Sequence, residues 1–346
     1  MENSTDAIMW TTPTERGPFM VYEEYWGRQI FAAMCLTVSI TGFVGNTLVV
    51  TAVSLSKKLR TVTNVFVVSL SISDLLSCSF MPWQAVGVLS EDGWPLPQAY
   101  WLCVATIAAM LIGNGCSINT LALIAVRRWI GITKSKALAR RIYTHRTVAC
   151  MLVLSYTLPV CCTILPAAMG FGELGYEPLF GTCSWVKSNP YAHIQNILGV
   201  VFYFPLQLII IAMCYISIFR YVLKTSRRMA RHDTQSVSGS VSGADRAMRR
   251  RLWKRQIAVT KNLVYIVLAY VFCLLPFFIV LASSPGQAWI YRMAPYAGLT
   301  VYVNTCINPI LYATTHPDFK EAFSYMIRGK WKDIPQTTSH QMKTNR

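Results

Sequence analysis

The chain has 346 residues, 53% of them hydrophobic and 14% charged, with a mean hydropathy of +0.39 and a formal net charge of +17. Soluble domains carry about 25% charged residues, so this much apolar surface excludes a single water-soluble core. The basic balance alone would suit nucleic acid, but its distribution along the chain argues for a membrane.

Residues 1–28 are a polar arm too short to be a domain, and Asn3-Ser4-Thr5 within it is an N-glycosylation acceptor sequence. The arm has no basic n-region or apolar h-region, so the first apolar run is expected to act as its own insertion signal. Seven apolar runs follow, at about 30–55, 64–89, 100–129, 147–169, 191–223, 257–282 and 287–314. A bilayer core takes about 20 helical residues, so residues 29–316 read as an all-α bundle of seven transmembrane helices. With the N-terminus outside, 28 of the 32 Lys and Arg residues fall in inner segments, and only Arg16, Arg28, Lys187 and Arg292 lie outside. That asymmetry is the positive-inside signature. It predicts a multi-pass plasma-membrane protein, and such scattered basic loops make no nucleic-acid surface.

In chain order, the first span holds Gly45-Asn46 and is closed on the inside by Lys57, Lys58 and Arg60. The second contains Ser71, Ser73 and Asp74. A carboxylate at membrane depth costs about 2.5–3.5 kcal/mol on insertion scales, so Asp74 marks a functional site or a polar network inside the bundle. Pro82 predicts a kink. The third span opens on Cys103 and closes on Arg127-Arg128-Trp129. At 1.5 Å per residue, Cys103 and Arg128 lie about 38 Å apart, one at each membrane face. Asn114 and Ser117 share a face of this helix.

The fourth span carries Pro159 and Pro166, and the outer loop 170–190 is Gly-rich and holds Cys183 and Trp185. Nine of the eleven cysteines sit within apolar runs, which leaves Cys103 and Cys183 on the outer aqueous face and predicts one disulfide between them. Residues 224–256 have basic ends, expected as helix extensions, and a flexible Ser/Gly middle. The sixth span contains Cys273-Leu274-Leu275-Pro276, a proline kink. The seventh ends in Asn304, Asn308-Pro309 and Tyr312. Residues 317–328 read as an amphipathic surface helix with Pro317 in its first turn. Residues 329–346 read as a cytoplasmic tail, polar and unstructured after Trp331.

Seven spans with Gly45-Asn46, Asp74, Cys103, Arg128, Pro276 and Asn308-Pro-Ile-Leu-Tyr312 in order resemble the rhodopsin-like (class A) G protein-coupled receptors over about residues 30–328. The run Ile124 to Trp129 and Met110 look closest to melatonin receptors and related orphan receptors. The resemblance implies a polar pocket of Asp74, Ser117, Asn304 and Asn308 that holds a sodium ion, or else a water-filled network. A hard cation wants such oxygen ligands. It further implies a switch made of Arg127, Arg128, Trp129, Pro276, Pro309 and Tyr312, with a heterotrimeric G protein as partner. Ser236, Ser238, Ser240, Ser242, Thr337, Thr338 and Ser339 are candidate phosphorylation sites for arrestin.

Several positions depart from the family pattern. Arg127 stands where an acid usually precedes the central arginine, and Gln256 stands where a second acid often lies. The resemblance therefore implies weakened inactive-state locking and raised basal signalling. Leu274 and Tyr156 replace usual tryptophans. Pro205 to Tyr215 is two residues longer than the family spacing, so either Pro205 is displaced or Tyr215 faces elsewhere. No cysteine follows Phe323 to carry the usual palmitoyl anchor.

The expected ligand pocket is Met110, Gly113, Asn114, Trp185, Phe277, Phe278, Leu299 and Tyr302, an apolar and aromatic set. Aminergic receptors carry an aspartate where Met110 sits, and opsins a lysine where Tyr302 sits. A cationic amine is thus disfavoured and a covalent retinal excluded, which leaves a non-amine small molecule or lipid, with a short peptide as the alternative. The basic inner surface is expected to meet anionic lipids. A transporter needs a path of ionisable groups or paired broken helices, and an enzyme needs paired acids, His clusters or a nucleophile with its base. The spans supply neither.

Overall fold

The computed structural model describes residues 24–186, 188–189, 191, 204–235, 264–265, 268–280, 288–334 and 336. Asn3, Lys187, Gln256 and the serines and threonines proposed for phosphorylation lie outside them. The helices are α1 (Tyr25–Leu55), α2 (Val62–Phe80), α3 (Pro82–Leu89), α4 (Tyr100–Thr133), α5 (Lys136–Ile142), α6 (His145–Ala168), α7 (Phe204–Gln235), α8 (Leu268–Val280), α9 (Ala288–Thr315) and α10 (Pro317–Ile327). Five segments among the described residues are long and apolar enough to cross a membrane: Tyr25–Leu55, Val62–Leu89, Pro97–Thr133, His145–Ala168 and Pro205–Thr225. With α8 and α9 they form the bundle. The outer surface is apolar, as lipid contact requires: Leu154 is 67% and Phe272 75% exposed.

Local chemistry sets the helix boundaries. The side chains of Thr61, Ser135 and Thr144 accept hydrogen bonds from the backbone N–H groups of Asn64, Leu138 and Thr147, capping α2, α5 and α6. Pro82 ends the run of α2, and Met81 alone separates α2 from α3, which is the predicted kink.

The central element is α4, which packs against α2, α6 and α7. Gly113 sits where α2 comes closest: a Cβ there would meet the Ser77 side chain and stand 2.9 Å from the Ser73 carbonyl. Across the bundle, a Cβ on Gly45 would lie 2.8 Å from the Pro309 ring. Asn46 closes the same seam. Pro309 lacks an N–H, so the Thr305 carbonyl has no helical donor. Asn46 Nδ2 donates to that carbonyl at 2.8 Å and to Gly42 O at 2.9 Å. Near Pro276, Thr300 Oγ1 donates to the Cys273 carbonyl at 2.9 Å, which ties α9 to α8. Tyr156, in place of tryptophan, donates its hydroxyl to Ser69 O at 2.9 Å, and Asn119 Nδ2 donates to Ser155 O at 3.0 Å. Together these tie α2, α4 and α6.

Three features differ from the sequence reading. The outer loop is a two-stranded antiparallel hairpin, β1 (Leu174–Glu177) and β2 (Thr182–Trp185), with Tyr176 opposite Cys183. The second inner loop contains α5. The tail is ordered at its start: Ile334 is 2% exposed, and Gln336 accepts from Lys57 N at 3.2 Å and donates to Leu55 O at 2.9 Å. The end of α1 offers unsatisfied backbone groups, and the Gln336 amide satisfies one of each kind. Beside it Lys58 Nζ pairs with Asp318 and Glu321, each at 2.9 Å, fixing α10 under α1. Burial works against the Lys58 cation, but the hydrogen bonds and charges of the two acids outweigh it and lift its pKa above the ordinary lysine value.

Candidate functional site

Three groups of side chains lie along the bundle axis. In the middle, Asp74 is fully buried. Ser117 Oγ donates to one carboxylate oxygen at 2.6 Å, and Asn308 Nδ2 donates to the other at 3.0 Å. Ser117 also reaches Ser73 Oγ at 3.4 Å. These contacts join α2, α4 and α9 through one carboxylate. Asn304 lies one turn before Asn308 on the same face of α9, but it makes no side-chain hydrogen bond among the described residues. Both its amide atoms, and Asn308 Oδ1, are buried without a partner among them. Unpaired buried polar atoms cost about 1–3 kcal/mol each. A carboxylate and two amide oxygens form an all-oxygen donor set, which fits a hard cation such as sodium.

At the inner end of α4, Arg128 is surrounded by Arg127, Tyr215 and Tyr312, which act on it electrostatically. No ion pair to Arg128 occurs among the described residues, and its Nε is buried without a partner. Tyr215 therefore faces inward, packed against the large core. The neighbours of Arg128 on α4 are held in other ways. Trp129 Nε1 donates to Ser217 Oγ on α7 at 2.9 Å. The Arg127 guanidinium lies over the Tyr143 ring at 4.6 Å, a cation–π contact. Burial pushes the Tyr143 phenol up to about 12, with Arg127 pulling the other way, so a neutral ring faces the cation at physiological pH. Tyr312 is buried and stacks on Phe319 of α10 at 5.3 Å.

Across this arrangement, the profile described as 7 transmembrane receptor (rhodopsin family) matches residues 45–312. The chain belongs to the rhodopsin family of seven-transmembrane receptors. Members of this family are signalling receptors, not enzymes. The receptor is 29% identical to melanopsin-A of Danio rerio over 302 residues, covering 85% of this chain and 49% of that one. It is 28% identical to a D(1)-like dopamine receptor of Takifugu rubripes, covering 90% of this chain and 73% of that one. It is 27% identical to melatonin receptor type 1A of Phodopus sungorus, covering 87% and 81%. The chain thus spans about half the length of melanopsin-A. Squid rhodopsin has the same fold, with a TM-score of 0.73, 21% identity and coverage of 93% of this chain and 90% of that one.

The outer end of the receptor is closed by the hairpin. Cys103 and Cys183 form the expected disulfide, with Cα atoms 5.4 Å apart. A second clamp lies beside it. The Gln84 side chain on α3 donates to Cys183 O and accepts from Cys183 N, both at 2.8 Å, as a neighbouring strand would. Its Nε2 also lies 3.5 Å from Met110 Sδ. A glutamine in an apolar helix was the available signal for this residue, and the sequence reading passed over it.

The eight residues expected to line a pocket do not converge. Met110 and Leu299 are buried in one apolar cluster, with Tyr302 packed against it. Trp185 packs instead against the cluster around the disulfide. Phe277 and Phe278 pack against the large inner core. Gly113 faces α2, because its missing side chain is what lets the helices touch. Asn114 is buried.

Proposed function

We propose that the receptor binds an extracellular non-amine small molecule or lipid and activates a heterotrimeric G protein, with raised basal activity. The observation that carries this reading is Arg128: a cation at the inner end of the central helix, beside a second cation and two phenols, with no carboxylate to hold it among the described residues. Two adjacent cations repel, so the pose of Arg128 rests on packing and the two phenols rather than on an ion pair. The ligand class follows from the outer cluster. Met110 is 3% exposed among apolar neighbours, so the position carries no acid for an ammonium group. The relatives' names span an opsin, dopamine receptors and melatonin receptors, and of these chemistries the apolar cluster suits the neutral one. In this reading the N-terminus lies outside, the disulfide faces the oxidising compartment, sodium is held by Asp74, Ser117, Asn304 and Asn308, and arrestin is a second partner.

Basal nucleotide exchange in membranes tests the locking. Arg127→Asp restores an acid next to Arg128 and is expected to lower basal exchange several-fold, as a pair worth about 1 kcal/mol allows. Equal, negligible exchange by both proteins would sink the claim of raised basal activity.

A further inference from the structure

The chain does not simply run off the end of α10. The helix closes in a Schellman turn: Gly329 takes a positive φ of 71°, Gly329 N donates to Met326 O at 3.0 Å, and Lys330 N donates to Tyr325 O at 2.9 Å. A short helical turn, Trp331–Asp333, follows, with Asp333 N donating to Lys330 O at 3.2 Å. The chain then returns to the bundle. Ile334 is buried in the inner core that includes Leu59, Phe319, Phe323 and Met326, and the Gln336 amide holds the end of α1. Residues 327–333 are thus a loop fixed on both sides, at the inner end of the first membrane helix.

The side chains this loop presents do not suit water. Ile327 is 78% exposed and Trp331 48%. Among them stand Arg328, Lys330 and Lys332, all exposed and without an ion pair among the described residues, and Asp333 is the one acid of the stretch. Apolar and basic side chains in alternation fit the boundary of a bilayer, where an aliphatic chain enters the acyl edge, an indole lies at headgroup level and cations meet anionic headgroups. Leu55 and Ile310, at the inner ends of α1 and α9, are exposed apolar residues at the same end of the bundle. None of residues 324–346 is a cysteine, so no thioester-linked acyl chain ties this part of the chain to the membrane.

We propose that Ile327, Arg328, Lys330, Trp331 and Lys332 form a non-covalent anchor that binds anionic lipid in the adjacent leaflet. The apolar pair supplies the depth and the three cations supply the preference for anionic headgroups. The Schellman turn on one side and the docked Ile334 and Gln336 on the other set the loop in place before lipid is met, so little ordering entropy is lost on contact. This surface is separate from the Arg128 site and goes beyond the receptor function proposed above.

A nitroxide spin label on Ile327→Cys tests the anchor in the full receptor. The receptor is placed in nanodiscs of phosphatidylcholine alone, or of phosphatidylcholine with phosphatidylserine, and collisions of the label with an aqueous nickel chelate are measured. Labelled parent protein that keeps Ile327 gives the background from the native thiols. Phosphatidylserine is expected to lower the collision rate about fivefold or more, the equilibrium ratio that one basic residue near an anionic leaflet supplies. Arg328→Gln/Lys330→Gln/Lys332→Gln is expected to abolish that lowering, and Arg328→Lys, which keeps all three cations, to retain it. The substituted side chains are exposed and lie outside the Ile334 and Gln336 contacts, so the wild-type melting temperature is expected to persist. Equal collision rates in the two lipids, or the same lowering in the triple variant, overturn the proposal. The lipid comparison needs no variant of the cations, and because it reads no signalling, its failure would leave the basal exchange result untouched.

Discussion

Cys103→Ser/Cys183→Ser is expected to remove most of the receptor from the cell surface and to lower its resistance to unfolding by about 4.5 kcal/mol in the chain-entropy account of a disulfide. The bond closes a segment with a sequence separation of 80, which includes all of α5 and α6. The substitution leaves the Cys183 backbone in place, so the Gln84 hydrogen bonds to it persist and the covalent contribution is isolated. Gln84→Ala is the complementary change. It strips two buried backbone groups of their partner, at about 1–3 kcal/mol each, while the disulfide stays. Surface labelling of intact cells and thermal unfolding of the purified protein read both. Wild-type surface level and melting temperature in the disulfide variant would contradict the account.

Sodium is expected to protect the wild-type receptor against heat and to leave Asp74→Asn indifferent. The buried carboxylate has two hydrogen-bond donors, Ser117 and Asn308, while Asn304 Oδ1 and Asn308 Oδ1 beside them on α9 have no partner among the described residues. A sodium ion there would be a partner for those two oxygens and would offset the buried charge. At ten times its dissociation constant it stabilises the folded state by about 1.4 kcal/mol. Melting curves in sodium chloride and in choline chloride at equal ionic strength make the comparison. If the wild type melts at one temperature in both salts, the pocket is a hydrogen-bonded water network and no ion site.

The helical, membrane-spanning character of the chain and the disulfide were legible in the sequence because each rests on a strong one-dimensional signal. Apolar run length marks the helices. Only two cysteines lie outside the apolar runs, so they find each other. The Asp74 group was legible in part: Ser117 and Asn308 do reach the carboxylate, while Asn304 shares their depth but makes no hydrogen bond. Depth along a helix is easily read; direction around it is not. Gly113 shows this best, because its depth suits a pocket while its face meets Ser73 and Ser77. The hairpin, the Gln84 clamp and the docked Gln336 were hidden for a different reason. Each is made through backbone groups, and backbone groups carry no residue signature. Tyr215 lay between these cases. The spacing from Pro205 exposed the conflict, and the packing of Tyr215 near Arg128 shows which way that side chain faces.

Basal nucleotide exchange on a panel of heterotrimeric G proteins, comparing wild type with Arg128→Ala, tests the central claim most directly. The account predicts exchange above background for the wild type on at least one G protein and its loss in the variant, since Arg128 has no ion pair among the described residues at the inner end of α4. Exchange that persists unchanged in Arg128→Ala would contradict it, because the inner site built around that residue would then play no part in signalling.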